Sequence, residues 1–291
     1  MTARAAASPD GLPPLGEVIR SLGHTQRKSL GQNFILDLNL TRRIARAAGP
    51  LEGRTVLEVG PGPGGLTRAL FLEGAERVVA VERDERCRPA LDAIAQRYAG
   101  RLQVHYADAL AACWPALAPR GTRKPIVAAN LPYNIATLLL IGWLESDPWP
   151  PWYLRLVLMF QREVAQRIVA APGSKAYGRL AVIAQWRTRP RLLFNVKPEA
   201  FTPTPSVASA LVELTPTDMP SPPASVATLG AVTAAAFGQR RKMLRQSLRA
   251  LSSQPEALLA AAGIAPTLRA EALSVRDFAR LAYVFERLPG R

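Results

Sequence analysis

The feature that most constrains the fold is a regular alternation of short β-branched runs with helical stretches between residues 55 and 170. Strands that alternate with helices of this length form βαβ units, which predict a parallel sheet with helices on both faces. The expected class is therefore α/β, with a Rossmann-like sheet. The predicted strands are residues 55–60, 77–82, 102–106, 125–130 and 153–160, and the predicted helices are 65–72, 85–98, one from 136, and 161–170.

The alternation ends near residue 190, which divides the chain into two domains. Two more predicted strands, 191–196 and 208–214, flank a proline-rich loop, and residues 215–223 hold four prolines, as in a linker. We therefore expect a sheet domain over residues 25–215 and a helical domain over residues 216–291. The helices predicted in the second domain are 226–237, 240–251, 255–262 and 275–288.

The first 24 residues are predicted to be a disordered tail. They contain Asp10, Gly11, Pro13 and Pro14 within a short stretch, and these residues favour turns over helix or strand. They also lack the apolar core of a secretory signal.

The net positive charge of the chain suggests a polyanionic partner. Lysine and arginine number 37 against 22 acidic residues, which gives a formal net charge of +15. A chain this basic usually meets a polyanion, either nucleic acid or an acidic membrane surface. Because 32 of the 37 are arginine and alanine and proline are also abundant, codon bias is the alternative explanation. The excess is spread along the chain: 27 basic against 17 acidic residues before residue 216 (+10), and ten against five from there on (+5).

Other classes are excluded by what the sequence lacks. The longest largely apolar run, Ala136 to Leu144, is far shorter than the ~20 residues that a membrane-spanning helix needs. Cys87 and Cys113, together with two histidines, fit neither a disulfide framework nor a zinc site of familiar spacing. We expect a cytoplasmic protein that needs no metal.

A glycine-rich loop follows the first predicted strand, in the sequence Glu58-Val-Gly-Pro-Gly-Pro-Gly-Gly65. Glycines allow a sharp turn and close approach to a ligand, and the helix that follows presents unpaired N–H groups. Glu82 ends the next strand, 22 residues after Gly60, where a carboxylate can accept from both hydroxyls of a ribose. The loop and Glu82 together predict a nucleotide-like ligand.

Two ligands fit this loop. The spacing of Gly60, Gly62 and Gly65 satisfies the dinucleotide fingerprint, so an NAD-dependent oxidoreductase is one candidate. The E-x-G-x-G-x-G form, stiffened by two prolines, favours S-adenosylmethionine. Asp108 follows the third strand and supports that choice, because its carboxylate could accept from an adenine amino group, although an aspartate there is also typical of a plain turn.

A second motif, Asn130-Leu131-Pro132-Tyr133, follows the fourth strand at the edge of the sheet where ligands bind in doubly wound folds. It resembles the signature of methyltransferases that act on amino groups. An adenine amine is a weak nucleophile because its lone pair is delocalised into the ring. The side-chain oxygen of Asn130 and the carbonyl of Leu131 could accept its two N–H protons, while Pro132 fixes the loop. Tyr133 offers a face for stacking, worth about 1–3 kcal/mol per base.

Phe201 is the candidate for the opposite side of the base. It precedes a run with two prolines, in the sequence Phe-Thr-Pro-Thr-Pro-Ser206. A phenylalanine in that position either stacks on a ligand or plugs the core, and the sequence leaves both open.

Taken together, these motifs resemble those of the ribosomal RNA adenine dimethyltransferases. The similarity runs from about Arg27 to Leu281 and also includes Lys28 to Ile35, which is similar to the amino-terminal cofactor motif of that family, although Ile35 stands where leucine is usual. The closer match is to enzymes that dimethylate two adjacent adenosines near the 3′ end of small-subunit ribosomal RNA.

The resemblance implies a seven-strand, mostly parallel sheet with a small helical domain, S-adenosylmethionine as cofactor, and N6,N6-dimethyladenosine as product, formed without metal. It implies a monomer whose partner is small-subunit ribosomal RNA in an assembling subunit. The implied base contacts are Asn130, Tyr133 and Phe201. The implied cofactor contacts are Asn33, Ile35, Gly60, Gly62, Glu82, Asp108 and Asn130.

The carboxyl-terminal domain separates this group from a sister group that methylates large-subunit RNA and confers macrolide resistance. The sequence around Gln239-Arg-Arg-Lys-Met243 closely resembles the small-subunit enzymes. On one helix, Arg241, Arg245 and Arg249 would form a basic stripe beside the apolar residues Leu244, Leu248 and Leu251. The residues predicted to bind RNA are Arg240, Arg241, Lys242, Arg245 and Arg249. The sister activity, and an assembly factor with secondary catalysis, remain the alternatives.

Overall fold

The computed structural model describes residues 8–22, 33–118, 123–218 and 222–288. The strands are β1 (Phe34–Ile35), β2 (Thr55–Val59), β3 (Arg77–Glu82), β4 (Leu102–Tyr106), β5 (Ile126–Asn130), β6 (Arg155–Gln161), β7 (Thr188–Val196), β8 (Phe201–Thr202) and β9 (Ser209–Pro216). The α-helices are α1 (Leu15–Ser21), α2 (Leu38–Ala48), α3 (Gly65–Leu72), α4 (Arg88–Arg97), α5 (Trp114–Leu117), α6 (Tyr133–Leu144), α7 (Arg162–Ile168), α8 (Arg179–Arg187), α9 (Val226–Gly238), α10 (Leu244–Ser247), α11 (Pro255–Ala261) and α12 (Val275–Arg287).

Seven strands form one sheet in the order β4-β3-β2-β5-β6-β9-β7. The pairs β2 with β3, β2 with β5, β3 with β4 and β5 with β6 are parallel. Every residue of β2 is buried, which requires that both faces of the sheet be covered at its centre. The α/β prediction is confirmed, and β2 to β6 lie within two residues of the first five predicted strands.

The first compact unit comprises residues 1–139, 152–162 and 192–213. Its core joins residues of α2, α3 and α4 to the inward side chains of the sheet. A short antiparallel pair, β1 with β8, places Ile35 opposite Phe201. These strands were not predicted, because two residues are too few to show a period.

The second compact unit comprises residues 140–151, 163–191 and 214–291. Its aromatic centre stacks Phe237 on Phe278, with ring centroids 5.4 Å apart, and sets the edge of Tyr177 against Phe237. The predicted boundary at 216 lies close to the start of the last segment, but the predicted continuous domain is wrong. Tyr177 and Trp186 belong to this core, so the sequence around α7 and α8 is part of the same unit.

The prediction of a disordered tail is wrong for residues 8–22. This segment contains α1, in which Leu15 and Ile19 are buried. The side chain of Asp10 is buried too and pairs with Arg68. The rest of the predicted tail lies outside the described residues.

The predicted helix over residues 240–251 is also corrected. α9 ends at Gly238, α10 runs only from Leu244 to Ser247, and a 3₁₀ turn follows at Leu248–Ala250. In a continuous helix, the N–H groups of Leu244 and Arg245 would bond to carbonyls four residues earlier. Here they donate to the carbonyls of Leu268 and Pro266, so the basic residues do not form one helical stripe. Across the residues that the structure describes, no helix is long and apolar enough to span a membrane.

Candidate active site

A cleft opens at the carboxyl ends of the parallel strands, where loops from neighbouring strands converge. β2 supplies the glycine loop, β3 supplies Glu82, the segment after β4 supplies Asp108, and β5 leads into Asn130. The residues that line the cleft are Asn33, Phe34, Val59, Gly60, Gly62, Val81, Glu82, Arg83, Ala107, Asp108, Ala109, Asn130, Leu131, Pro132, Tyr133, Asn134 and Ile135. The structure therefore brings most of the predicted site residues together.

The glycine loop has a conformation that side chains rarely adopt. Gly60, Gly62 and Gly64 have φ angles of 63°, 55° and 89°. A Cβ atom on Gly62 would lie 2.7 Å from Cε1 of Phe34, so a side chain is excluded there by contact as well as by backbone angle. The loop approaches the amino-terminal strand β1 because glycine stands at this position.

Glu82 fastens the glycine loop to the next strand. Its Oε2 accepts from the Gly62 N–H at 2.8 Å and its Oε1 accepts from the Asp84 N–H at 2.7 Å. Burial raises the pKa of this carboxyl group. Each carboxylate oxygen has a second lone pair, so acceptor positions remain for two ribose hydroxyls. The donor and acceptor chemistry therefore fits a nucleoside cofactor.

Asp108 lies at the rim of the cleft. Its Oδ1 accepts from the Leu110 N–H at 2.9 Å, as in an ordinary Asx turn, and its Oδ2 lies 3.3 Å from Nη1 of Arg83. The turn reading is thus correct, while acceptance from an adenine amine remains a prediction. Both readings are compatible, because the side chain is 38% exposed and still borders the cleft.

Asn130 is held by one backbone contact. Its Nδ2 donates to the carbonyl of Asn33 at 2.9 Å. A carbonyl can only accept, so this bond fixes which end of the amide is nitrogen and leaves Oδ1 as the acceptor end. The following residue, Leu131, is buried, and Pro132 begins the turn into α6.

Tyr133 is the first residue of α6 and borders the cleft. Its hydroxyl lies 2.6 Å from Oγ of Ser209, the first residue of β9. Burial raises the pKa of the phenol, and the bond to Ser209 acts in the opposite direction. The ring is therefore anchored at its polar end, which leaves its face as the part that a base could contact.

Two predicted contacts are placed differently. Phe201 is 2% exposed, belongs to the core of the first unit, and does not line the cleft in this structure. In this conformation Phe201 is a core residue, which is the second of the two roles that the sequence left open. Base stacking by Phe201 remains a prediction. Ile35 lies behind the glycine loop, in a second cavity that it shares with Gly60 and Asn130.

Some lining residues were missed by sequence reasoning. Phe34 and Arg83 adjoin predicted contacts, and Asn134 and Ile135 continue the motif at Tyr133 into α6. Their adjacency to the motifs was the available signal. The predicted cofactor motif before Asn33, residues 28–32, lies outside the described residues.

The predicted RNA-binding residues belong to the second unit and differ in their surroundings. Arg240 donates through Nη2 to the carbonyls of Lys175 and Tyr177, at 2.7 and 3.0 Å, and lies 3.4 Å from a carboxylate oxygen of Glu271. It is therefore a structural link within this unit. All five residues are exposed, so Arg240 differs from Arg241, Lys242, Arg245 and Arg249 in these contacts and not in its exposure.

A family model and individual relatives of this chain point to the same protein family. The model described as ribosomal RNA adenine dimethylase matches residues 23–287. A protein from Xanthobacter autotrophicus named ribosomal RNA small subunit methyltransferase A is 61% identical over 279 residues, which cover 96% of each chain. A protein of the same name from Rhodopseudomonas palustris is 59% identical and covers 97% of each chain.

Solved structures show the same fold at lower identity. A dimethyladenosine transferase from Plasmodium falciparum aligns with a TM-score of 0.70 at 22% identity, over 86% of this chain and 96% of that one. The 23S rRNA methyltransferase ErmE aligns with a TM-score of 0.63 at 24% identity, over 88% of this chain and 100% of the other.

Proposed function

The chain belongs to the ribosomal RNA adenine dimethylase family, and from that premise we propose that it dimethylates the N6 amines of two adjacent adenosines near the 3′ end of small-subunit ribosomal RNA. It is an S-adenosylmethionine-dependent methyltransferase, which removes the NAD-dependent oxidoreductase from consideration. The relatives near 60% identity carry the small-subunit name, which favours this substrate over the large-subunit RNA of the sister group.

The cofactor supplies a methyl group on a positively charged sulfur, so no strong base or metal is needed to activate it. This chain has to bind the nucleoside part and aim the methyl group. Glu82 and Gly62 line the part of the cleft that would hold the ribose of the cofactor, and Asp108 lines the part that would hold its adenine. Well-oriented reactants gain about 7–11 kcal/mol in favourable cases, so positioning can provide most of the acceleration.

The target amine is handled by Asn130 and Tyr133. The Oδ1 atom of Asn130 accepts one N–H of the amine, and the carbonyl of Leu131 accepts the other. With both protons held, the nitrogen lone pair turns out of the ring toward the methyl carbon. The bound cofactor would supply an activated methyl group with a neutral thioether as the leaving group, while Asn130 and Leu131 hold the amine and one N–H proton is released to solvent. A second transfer to the same nitrogen, which then has one N–H left to donate to Asn130 or Leu131, would give the dimethylated product on each adenosine.

The observation that carries this proposal is the meeting of the glycine loop and Glu82 with Asn130 and Tyr133 in one cleft. Its test is methyl transfer from radiolabelled cofactor to immature small subunits, with the modified nucleotides mapped. We expect label only as dimethyladenosine at two adjacent positions near the 3′ end. Label in large-subunit RNA instead would assign the chain to the sister activity, and no transfer to either RNA would overturn the proposal.

We further propose that the enzyme acts in the cytoplasm, as a monomer, on the assembling subunit. The exposed cations of the second unit, Arg241 to Arg249, support contact with RNA phosphates, and the net charge of +15 supports a large polyanionic partner. Parallel assays with naked RNA, immature subunits and mature subunits distinguish the substrates. Preference for naked RNA would contradict the assembling-subunit proposal.

A further inference from the structure

The amino-terminal segment, residues 8–22, is fastened to the first unit by a buried ion pair. Asp10 and Arg68 have side chains 0% and 3% exposed. Nε of Arg68 donates to Oδ2 of Asp10, and Nη2 donates to Oδ1, each at 2.7 Å. Such two-pronged pairing fixes direction as well as distance. The segment is therefore anchored to α3, the helix that begins where the glycine loop ends.

Further bonds from two helices hold the backbone of the segment. Nη1 of Arg68 also donates to the carbonyl of Pro13 at 2.8 Å. Nε of Arg97, on α4, donates to the carbonyl of Asp10 at 2.6 Å. An arginine that binds both a carboxylate and a backbone carbonyl loses these bonds together when the segment leaves, so the anchor acts as a unit.

The segment packs against the back of the glycine loop. A Cβ atom on Gly65, the first residue of α3, would lie 2.9 Å from Cδ2 of Leu15. Leu15 also lines the cavity behind the loop, together with Pro61 and Pro63. It is 8% exposed, so its side chain is largely enclosed there. Leu15 thus borders the glycine loop from a second cavity, whose lining shares Gly60 and Asn130 with the cofactor cleft.

We propose that residues 10–21 form a strap that positions the glycine loop for cofactor binding, with Asp10, Arg68 and Leu15 as positioning residues. Glycine loses more conformational freedom on ordering than other residues, and three glycines of this loop have positive φ angles. A loop that is already held by the strap gives up less entropy when the cofactor binds, and its affinity is correspondingly higher.

The test uses the full-length chain with the substitutions Asp10→Asn and Leu15→Ala. Calorimetry with S-adenosylhomocysteine measures affinity, and hydrogen exchange of the amides from Gly62 to Leu66 in the free protein measures order in the loop. We expect each variant to weaken binding of S-adenosylhomocysteine about tenfold or more, because the cofactor must then order the loop itself. We also expect faster exchange in the loop at temperatures well below unfolding.

Two controls separate positioning from general stability. Glu73→Gln removes the ion pairs to Arg42 and Arg46 at the other end of α3 and should leave both affinity and loop exchange near wild type. Leu15→Met keeps an apolar side chain against the loop and should restore binding. It also serves as the mildest variant if Asp10→Asn does not fold.

The inference rests on the cofactor of the proposed function and not on its RNA substrate. If the wild-type protein does not bind S-adenosylhomocysteine, the cofactor assignment fails. If the wild type binds and Leu15→Ala binds equally well, with only a lower melting temperature, the segment is a structural brace and the strap is wrong.

Discussion

At the residue scale, the contact between Asn130 and Asn33 links two motifs that are 97 residues apart. The asparagine of the amino-terminal motif fixes the orientation of the asparagine predicted to hold the target amine. A side-chain amide that is already oriented loses little freedom when the base arrives, which is how preorganised groups favour a transition state. The contact of Asn33 with Nδ2 therefore sets the direction of the other end of the amide, the acceptor atom Oδ1 of Asn130.

Replacing Asn130 by alanine should abolish most methyl transfer while the RNA remains bound. Removing one preorganised group of this kind typically lowers kcat by about 10²–10³. Single-turnover transfer and filter binding of the same RNA measure the two effects separately. Equal losses of rate and of RNA affinity would argue against a chemical role for Asn130.

Ser209 should influence catalysis only through Tyr133. Ser209→Ala leaves the buried phenol without its partner, an effect of about 1 kcal/mol or roughly fivefold in rate. Ser209→Thr keeps a hydroxyl and should retain most activity. In a Tyr133→Phe background, the Ser209→Ala change should have no further effect on kcat. An additive loss in the double variant would show that Ser209 acts by another route.

At the element scale, β2 carries a buried acid directly before the glycine loop. Glu58 is 1% exposed, and its Oε2 accepts from the Thr67 hydroxyl at 2.7 Å. Burial, together with the nearby charge of Glu82 and against the opposing effect of the Thr67 bond, raises the pKa of Glu58 from its ordinary value of 4.5 to about 8. The folded protein therefore keeps a proton on Glu58 at neutral pH.

This proton makes stability depend on pH. Between the ordinary value of 4.5 and about 8, folded Glu58 is protonated while unfolded Glu58 is ionised. Raising the pH through this window should thus lower the free energy of unfolding, by on the order of 1 kcal/mol per pH unit. Glu58→Gln should remove this slope. Denaturant titrations at pH 5, 6.5 and 8 measure it, and parallel slopes for both proteins would refute the assignment.

The elements that sequence predicted best are those with long local patterns. The buried runs at β2, β3 and β5 and the glycine-to-helix turn at Gly65 are determined by neighbours in the chain. The elements that failed depend on distant partners. Asp10 is stabilised by an arginine 58 residues away, and the break before Leu244 follows from bonds to a loop more than 20 residues later.

In the candidate site, too, features set by local sequence were predicted and features set by distant partners were not. The order of Gly62, Glu82 and Asn130 along the sheet edge follows from strand connectivity, so their convergence was predictable. The partners that orient them were not, because the bond from Tyr133 to Ser209 joins residues 76 apart and neither has a local pattern that pairs them. The burial of Phe201 likewise depends on its pairing with Ile35 in a strand of two residues.

At the scale of the whole molecule, the positive charge belongs to both regions of the sequence. Residues 1–215 have a net charge of +10 and residues 216–291 have +5, so the positive charge is not confined to the carboxyl-terminal region. Yet the cations are not equivalent. Arg240 and Arg241 are both exposed, but the guanidinium of Arg240 donates to two carbonyls of its own unit.

Substitution of Arg240 and of Arg241 should distinguish a residue that stabilises the fold from one that binds RNA phosphate. Arg241→Ala should reduce the slope of log affinity against log salt concentration by about 1 while the melting temperature is kept. Arg240→Ala should lower the melting temperature because two carbonyls and a glutamate lose their partner. RNA binding at several salt concentrations, with thermal unfolding of both variants, measures this. An unchanged salt slope for Arg241→Ala would exclude a phosphate contact at that position.

The three-part makeup of the second unit has a consequence for genetic exchange between relatives. Its core takes Tyr177 and Trp186 from before residue 192 and Phe237 and Phe278 from after residue 213. A crossover at the apparent linker near 216 would pair halves of this core from two parents. Viable chimeras should therefore be those in which residues 140–151, 163–191 and 214–291 come from one parent. Evolution could graft a new carboxyl-terminal region onto this sheet only by changing the middle of the gene with it.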